Sequence, residues 1–173
     1  GLPVTVTFTI VVMFLVFGAL LQKSDAGKFM IDAALALTGR WTGGPAKSSV
    51  LASAALGTVT GLGPANAAIT GSLTIPLMKK CGYRAEFAGA VEAVSANGSA
   101  IMPPVMGVVA FIMAEMLGMS YWSVCIAAAI PALLYYLNVT LQVHFEALKY
   151  NLRGLPADQL PSFRRVMREG WFY

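Results

Sequence analysis

All twelve lysines and arginines of this chain fall within three short stretches: Lys23 to Lys47, Lys79 to Arg84, and Lys149 to Arg168. The runs between them are long, apolar and almost free of charge. Lys and Arg accumulate on the cytoplasmic side of a membrane, so the chain has to come back to one side after each run. Hydrophobic residues make up 57% of the sequence, charged residues 12%, and the mean hydropathy is +0.70. A soluble domain carries about a quarter charged residues, so this chain has too little polar surface to coat a core and reads as an integral membrane protein. A net charge of +4 suggests nucleic acid only on first inspection. The basic residues sit in small groups between apolar runs, which is a topological pattern, and no nucleic-acid partner is expected.

Residues 4–21 are uncharged and match the roughly 20 residues that one crossing needs. Residues 27–38 suit a short amphipathic helix at the interface, with Phe29, Ala33, Ala36 and Leu37 on one face and Lys28 and Asp32 elsewhere. Arg40 to Lys47, with Gly43, Gly44 and Pro45, reads as a loop. In 48–78 two apolar arms flank the stretch TGLGPAN (Thr60 to Asn66). Each arm is short of a full crossing at about 1.5 Å per residue. Basic residues stand at both ends, so the segment reads as a re-entrant hairpin with its tip deep in the membrane.

A broken transmembrane helix follows over 84–117, interrupted at Ser95 to Ser99. Pro103-Pro104 is expected to open its second half, since Pro suits a first helical turn. Residues 121–145 return across the membrane, with Tyr121 and Trp122 as interfacial anchors and Pro131 as a kink. Residues 146–173 form a cytoplasmic connection. All three basic stretches fall on one side under this arrangement. The fold class is all-α: a polytopic membrane protein with a re-entrant helical hairpin and a broken transmembrane helix.

The two breaks need a reason. An unpaired peptide group in hydrocarbon costs several kcal/mol, so irregular backbone at membrane depth survives where protein buries it or where it lines a polar cavity. One kink in a membrane helix is commonly packing. Two breaks, each with Gly, an Asn and small hydroxyl residues, suggest discontinuous helices converging on a binding site, where half-helix N-termini meet anions and freed carbonyls meet cations. The Gly61-Leu62-Gly63 run is no phosphate loop, because no Gly-Lys-Ser/Thr follows.

Glu92 is the one carboxylate placed well inside an apolar segment. It reads either as an ion or proton site or as a satisfied polar contact between helices. Glu115 belongs at the outer interface, and His144 reads as an interfacial residue ending a helix beside Glu146. The small residues of Ser49 to Gly57 read as close helix packing, and the Met-rich 106–119 run as core packing. Cys81 and Cys125 read as free thiols, and no His/Cys cluster suggests a metal. No catalytic set emerges, so an enzyme is not expected. The chain opens without an initiator Met or a basic n-region and reads as an internal segment of something longer.

The stretches GTVTGLGPANAAITGSLTIPLMKKCGYRAEFAGAVEA and MPPVMGVVAFIMAE, with IPALLYYLNVTLQVHFEALKYNLRGLP further on, carry a family resemblance. The sequence resembles the large membrane subunit of tripartite ATP-independent periplasmic (TRAP) transporters, most closely the fused permeases that work with TAXI-type binding proteins. The likeness covers nearly all of Gly1 to Arg168. It implies an elevator-type secondary transporter built from two inverted repeats, of which this chain is one, cut at Tyr173. It also implies an inner-membrane location, a periplasmic substrate-binding protein, a small membrane subunit or fused small-subunit domain, and a second half of the permease, all within a lipid bilayer. The cargo would be an organic acid, and no cofactor is expected beyond a coupling ion.

This chain departs from the family pattern at both breaks. The family's tip usually reads Ser-Gly-Ser and then Ala-Asn, whereas here Thr60 and Gly61 precede Leu62, Gly63, Pro64, Ala65 and Asn66. The break commonly reads Ser-Thr-Gly-Gly-Gln, whereas here it is Ala96-Asn97-Gly98-Ser99-Ala100. The expected site is Thr58, Thr60, Gly61, Gly63 and Asn66 with Asn97, Gly98 and Ser99, holding a cation and bordering the substrate. Sodium at Thr60, Asn66 and Asn97 is the expected coupling ion, with the proton as its rival. The alternative is a non-transporting helical membrane subunit acting as a structural partner, in which the two breaks lie far apart.

Overall fold

A computed structural model describes residues 16, 26–156 and 160–169. Among them the chain is helical, with no strand. The span expected at 4–21 lies outside the described residues apart from Val16.

Helix α1 (Ala26–Thr38) lies against helix α2 (Gly44–Thr60), and α3 (Gly63–Lys80) doubles back along α2. Both arms of this hairpin open in the same way, with Gly-Pro in the first turn at Gly44-Pro45 and Gly63-Pro64. Pro fits there because its missing N–H is one that a helix start leaves unpaired anyway. The loop expected to reach Lys47 therefore ends at Gly43, a left-handed residue at φ 71°. Lys47 is drawn into the first turns of α2. It is only 8% exposed, and its Nζ lies 2.9 Å from His144 Nδ1 and 5.9 Å from the Trp41 ring.

Helix α4 (Ala85–Asn97) runs on into a 3-10 turn (Gly98–Ile101). An extended Met102 and a cis Pro103-Pro104 pair follow, and α5 (Val108–Leu117) begins only after Gly107. The proline pair thus belongs to the interruption and does not start the second half, contrary to the sequence expectation. Tyr121 braces this segment: its hydroxyl shares its one hydrogen between the carbonyls of Pro104 and Val105, at 2.8 and 2.6 Å. Those carbonyls are held from outside the segment.

Helix α6 (Tyr121–Lys149) passes through Pro131 and is, among the described residues, the one helix long and apolar enough to cross a membrane. His144 therefore lies inside a helix that continues past it, tied to Lys47, where the sequence suggested a helix end. A short α7 (Phe163–Glu169) packs on α1.

The main core joins both hairpin arms, α4 and α6 through Val50, Met78, Val91, Tyr136, Val139 and Val143. In α1 the inward residues are Ile31 and Ala34, which pack on Ala52, while Leu37 is exposed. Of the apolar face expected at Phe29, Ala33, Ala36 and Leu37, the first three are half-buried and Leu37 is outside.

Candidate functional site

The hairpin tip is built by two residues. Gly61 ends α2 in the left-handed region at φ 59°, its N–H bonded to the Gly57 carbonyl at 3.2 Å. Leu62 is extended, and α3 starts at once. Position 61 admits no side chain, because a Cβ would stand 1.7 Å from the Met106 carbonyl oxygen. The tip is thereby pressed against the far side of the break.

Gly57 makes the second close approach, where a Cβ would meet the Ser99 Cα at 2.9 Å. A Cβ at Gly63 would come 3.3 Å from Asn97 Cα and 3.5 Å from Asn97 Oδ1. The two interruptions, more than thirty residues apart in sequence, therefore meet in space. That adjacency is the arrangement expected of converging discontinuous helices, and it is absent from the structural-partner alternative.

The expected site residues do not share one environment. Asn66 is 0% exposed, with Nδ2 donating to the Ser53 carbonyl at 2.8 Å and Oδ1 lacking any partner. Thr60 is buried, and its hydroxyl donates to Leu56 O at 3.0 Å. Thr58 turns back to Ala55 O at 2.7 Å. Ser99 is buried and donates to Ala96 O at 2.6 Å, while Gly98 is enclosed against the rings of Tyr135 and Tyr136. Asn97 is exposed and opens onto a recess of about 390 Å³ with Gly63, Pro64, Ala67, Val94 and Tyr135. The structure thus brings Gly61, Gly63, Asn97, Gly98 and Ser99 to one place, sets Asn66 just beneath them, and leaves Thr58 facing its own helix.

The partners of Glu92 went unread in the sequence. Glu92, singled out there, is 2% exposed and sits among Ser49, Ser53, Thr70 and Thr74. The i, i+4 spacing of Ser49 with Ser53, and of Thr70 with Thr74, was the available signal, since it places each pair on one helix face. Tyr135 and Tyr136 were also missed. Their hydroxyls donate to Val94 O at 2.7 Å and Ser95 O at 3.1 Å, in the last turn of α4, where Val94 O also accepts from the Gly98 N–H. Among the described residues no cluster of metal-ligating side chains occurs.

A family profile described as "Tripartite ATP-independent periplasmic transporter, DctM component" matches residues 3–173. The chain belongs to the DctM family. That is a family of transporter components and not of enzymes, in line with the lack of a catalytic set in the sequence. Among curated relatives of this DctM chain is the C4-dicarboxylate TRAP transporter large permease protein DctM of Pseudomonas aeruginosa, 27% identical over 163 residues, or 94% of this chain and 38% of that protein. The protein of the same description from Vibrio cholerae is 26% identical over 162 residues, or 94% of this chain and 35% of its own length. The uncharacterized protein y4mL of Sinorhizobium fredii is 27% identical over 154 residues, or 89% of this chain and 36% of its length. The chain spans little more than a third of the length of each of these relatives.

Proposed function

We propose that this chain is the hairpin and broken-helix portion of the large permease of a TRAP-type importer. In this reading the complete protein lies in the bacterial inner membrane. It takes a small carboxylate from a periplasmic binding protein and moves it inward with a coupled cation. The C4-dicarboxylates named for the relatives from P. aeruginosa and V. cholerae are the first class to test. A small membrane subunit, separate or fused, and the second half of the permease complete the assembly.

The observation that carries this reading is the contact between tip and break. Gly61 lies on the Met106 carbonyl, Gly57 on Ser99, and Gly63 beside Asn97, at the mouth of an open recess. α3 begins at that recess, so the positive end of an 18-residue helix faces it, suited to a substrate carboxylate. Asn66 Oδ1, buried and unpartnered, offers a hard oxygen to a cation on the protein side. In this reading the hairpin is re-entrant, sodium lies near Thr60, Asn66 and Asn97, and the exposed Asn97 amide borders the substrate.

The test is uptake by the complete permease in vesicles, with its binding protein, under imposed sodium or proton gradients. Asn66→Ala and Asn97→Ala are expected to reduce cation-driven uptake about tenfold each, the scale of one hydrogen bond to a charged group, while the protein still inserts. Asn97→Ala is expected to act mainly on substrate concentration dependence, and Asn66→Ala on cation dependence. Wild-type uptake by both variants at limiting cation and substrate would remove the site.

A further inference from the structure

Glu92 presents an unusual arrangement for a buried acid. Its carboxylate is held by hydroxyl groups from both arms of the hairpin. Ser49 Oγ donates to Oε2 at 2.6 Å, Thr74 Oγ1 to Oε2 at 2.5 Å, and Thr70 Oγ1 to Oε1, while Ser53 Oγ stands 3.5 Å from Oε1. Buried carboxylates ordinarily pair with a cation. The titratable groups on the surrounding helices are engaged elsewhere. Lys47 bonds His144, Tyr135 and Tyr136 donate to carbonyls of α4, and Arg84 faces Glu86 at 3.7 Å at the exposed start of α4. Lys79 and Lys80 are exposed at the end of α3.

A hydroxyl both donates one hydrogen and accepts, and this cage uses both capacities. Thr74 Oγ1 lies 2.9 Å from Thr70 O as well as beside Glu92 Oε2, and Thr70 Oγ1 lies 2.9 Å from Asn66 O as well as beside Oε1. When the carboxylate is ionised, the hydroxyls turn their hydrogens to it. When Oε2 carries a proton, the carboxyl O–H donates to Thr74 Oγ1, and the threonine hydrogen swings to Thr70 O. Both states are fully hydrogen-bonded and differ only in hydroxyl rotation. A metal ion fits less well, because the oxygens already bond one another and leave no open centre.

The cage also has a polar route toward the tip. Asn66 Oδ1 lies one turn above Thr70, Ser95 Oγ lies one turn beyond Glu92, and both atoms are buried without partners.

We propose that Glu92 binds one proton on its carboxylate from water on one side and releases it to water on the other in each transport cycle, so that the proton is among the ions this permease couples. The cycle rests on the importer reading above, whereas the proton site itself rests on the hydroxyl cage alone. The complete permease in lipid nanodiscs is examined by infrared difference spectroscopy between about pH 5 and about pH 9. A protonated-carboxyl band that grows on acidification, shifts in heavy water and is lost in Glu92→Gln is expected. Thr74→Val, which keeps the side-chain shape and removes one hydroxyl, is expected to move that band to higher wavenumber, and it serves if Glu92→Gln does not fold. Uptake under a proton gradient is measured in parallel, and Glu92→Gln is expected to lose its pH dependence. A carboxyl band unchanged across the pH range, a band indifferent to both substitutions, or normal proton-dependent uptake by Glu92→Gln overturns the proton site. A Glu92-dependent carboxyl band in a protein that takes up no carboxylate under any gradient overturns the importer reading instead.

Discussion

At the scale of single residues the tightest constraint is position 61. The left-handed φ of 59° and the Met106 carbonyl 1.7 Å from a would-be Cβ act together. Gly61→Ala is therefore expected to cost at least about 1–2 kcal/mol from backbone conformation alone, with more from displacing the break. A lowered melting temperature in detergent and a parallel loss of uptake check it. The sequence made Gly61, Gly63, Asn66, Asn97 and Glu92 visible because each is out of place in an apolar run. It treated the two asparagines as equivalent, although one is enclosed and the other opens to the recess. The hydroxyl cage was harder to see. Ser49 and Ser53 sit in a small-residue stretch that reads as packing, and Thr70 and Thr74 lie on the other arm. Nothing along the chain reports that the two faces converge on one carboxylate 43 residues away from the first of them.

Among the elements, the broken helix depends on its neighbour. The last turn of α4 ends in the protein interior, and Tyr136 satisfies the Ser95 carbonyl there. Tyr136→Phe leaves that acceptor bare and is expected to destabilise the protein by about 1–3 kcal/mol. The change is checked by thermal unfolding together with faster hydrogen exchange in residues 94–101. Gly and Pro pairs made the hairpin arms legible, since they punctuate helices for local steric reasons. The start of α5 was not legible, because tertiary hydrogen bonds from Tyr121 hold the proline segment open, and local propensity contains no trace of them. The inward face of α1 was likewise set by its partner: Ile31 and Ala34 pack on Ala52 while Leu37 stays exposed.

For the whole molecule, the start of α2 and the end of α3 lie at the same end of the hairpin, so the basic residues flanking them belong together. Single cysteines at Arg40, Lys79 and Arg153 in the complete permease, all exposed positions, are expected to react with an impermeant maleimide from the cytoplasmic face only. Native Cys81 is replaced first, although burial pushes its thiol up and slows its labelling. Labelling of Arg40 and Lys79 from opposite faces sinks the topology. The outer flank of α6, with Trp122, Ile126, Ile130, Leu133, Leu137 and Leu141 exposed, is suited to lipid or to the rest of the permease. The Glu92 cage carries one further consequence at this scale. Ser49, Thr70 and Thr74 rivet both limbs of the hairpin to α4 from within, so the limbs cannot slide past that helix without stripping several donors from a buried acid at once. In the importer proposed above, a motion that keeps these hydrogen bonds shifts the two limbs and α4 as a single rigid piston, with the slippage at its apolar outer skin.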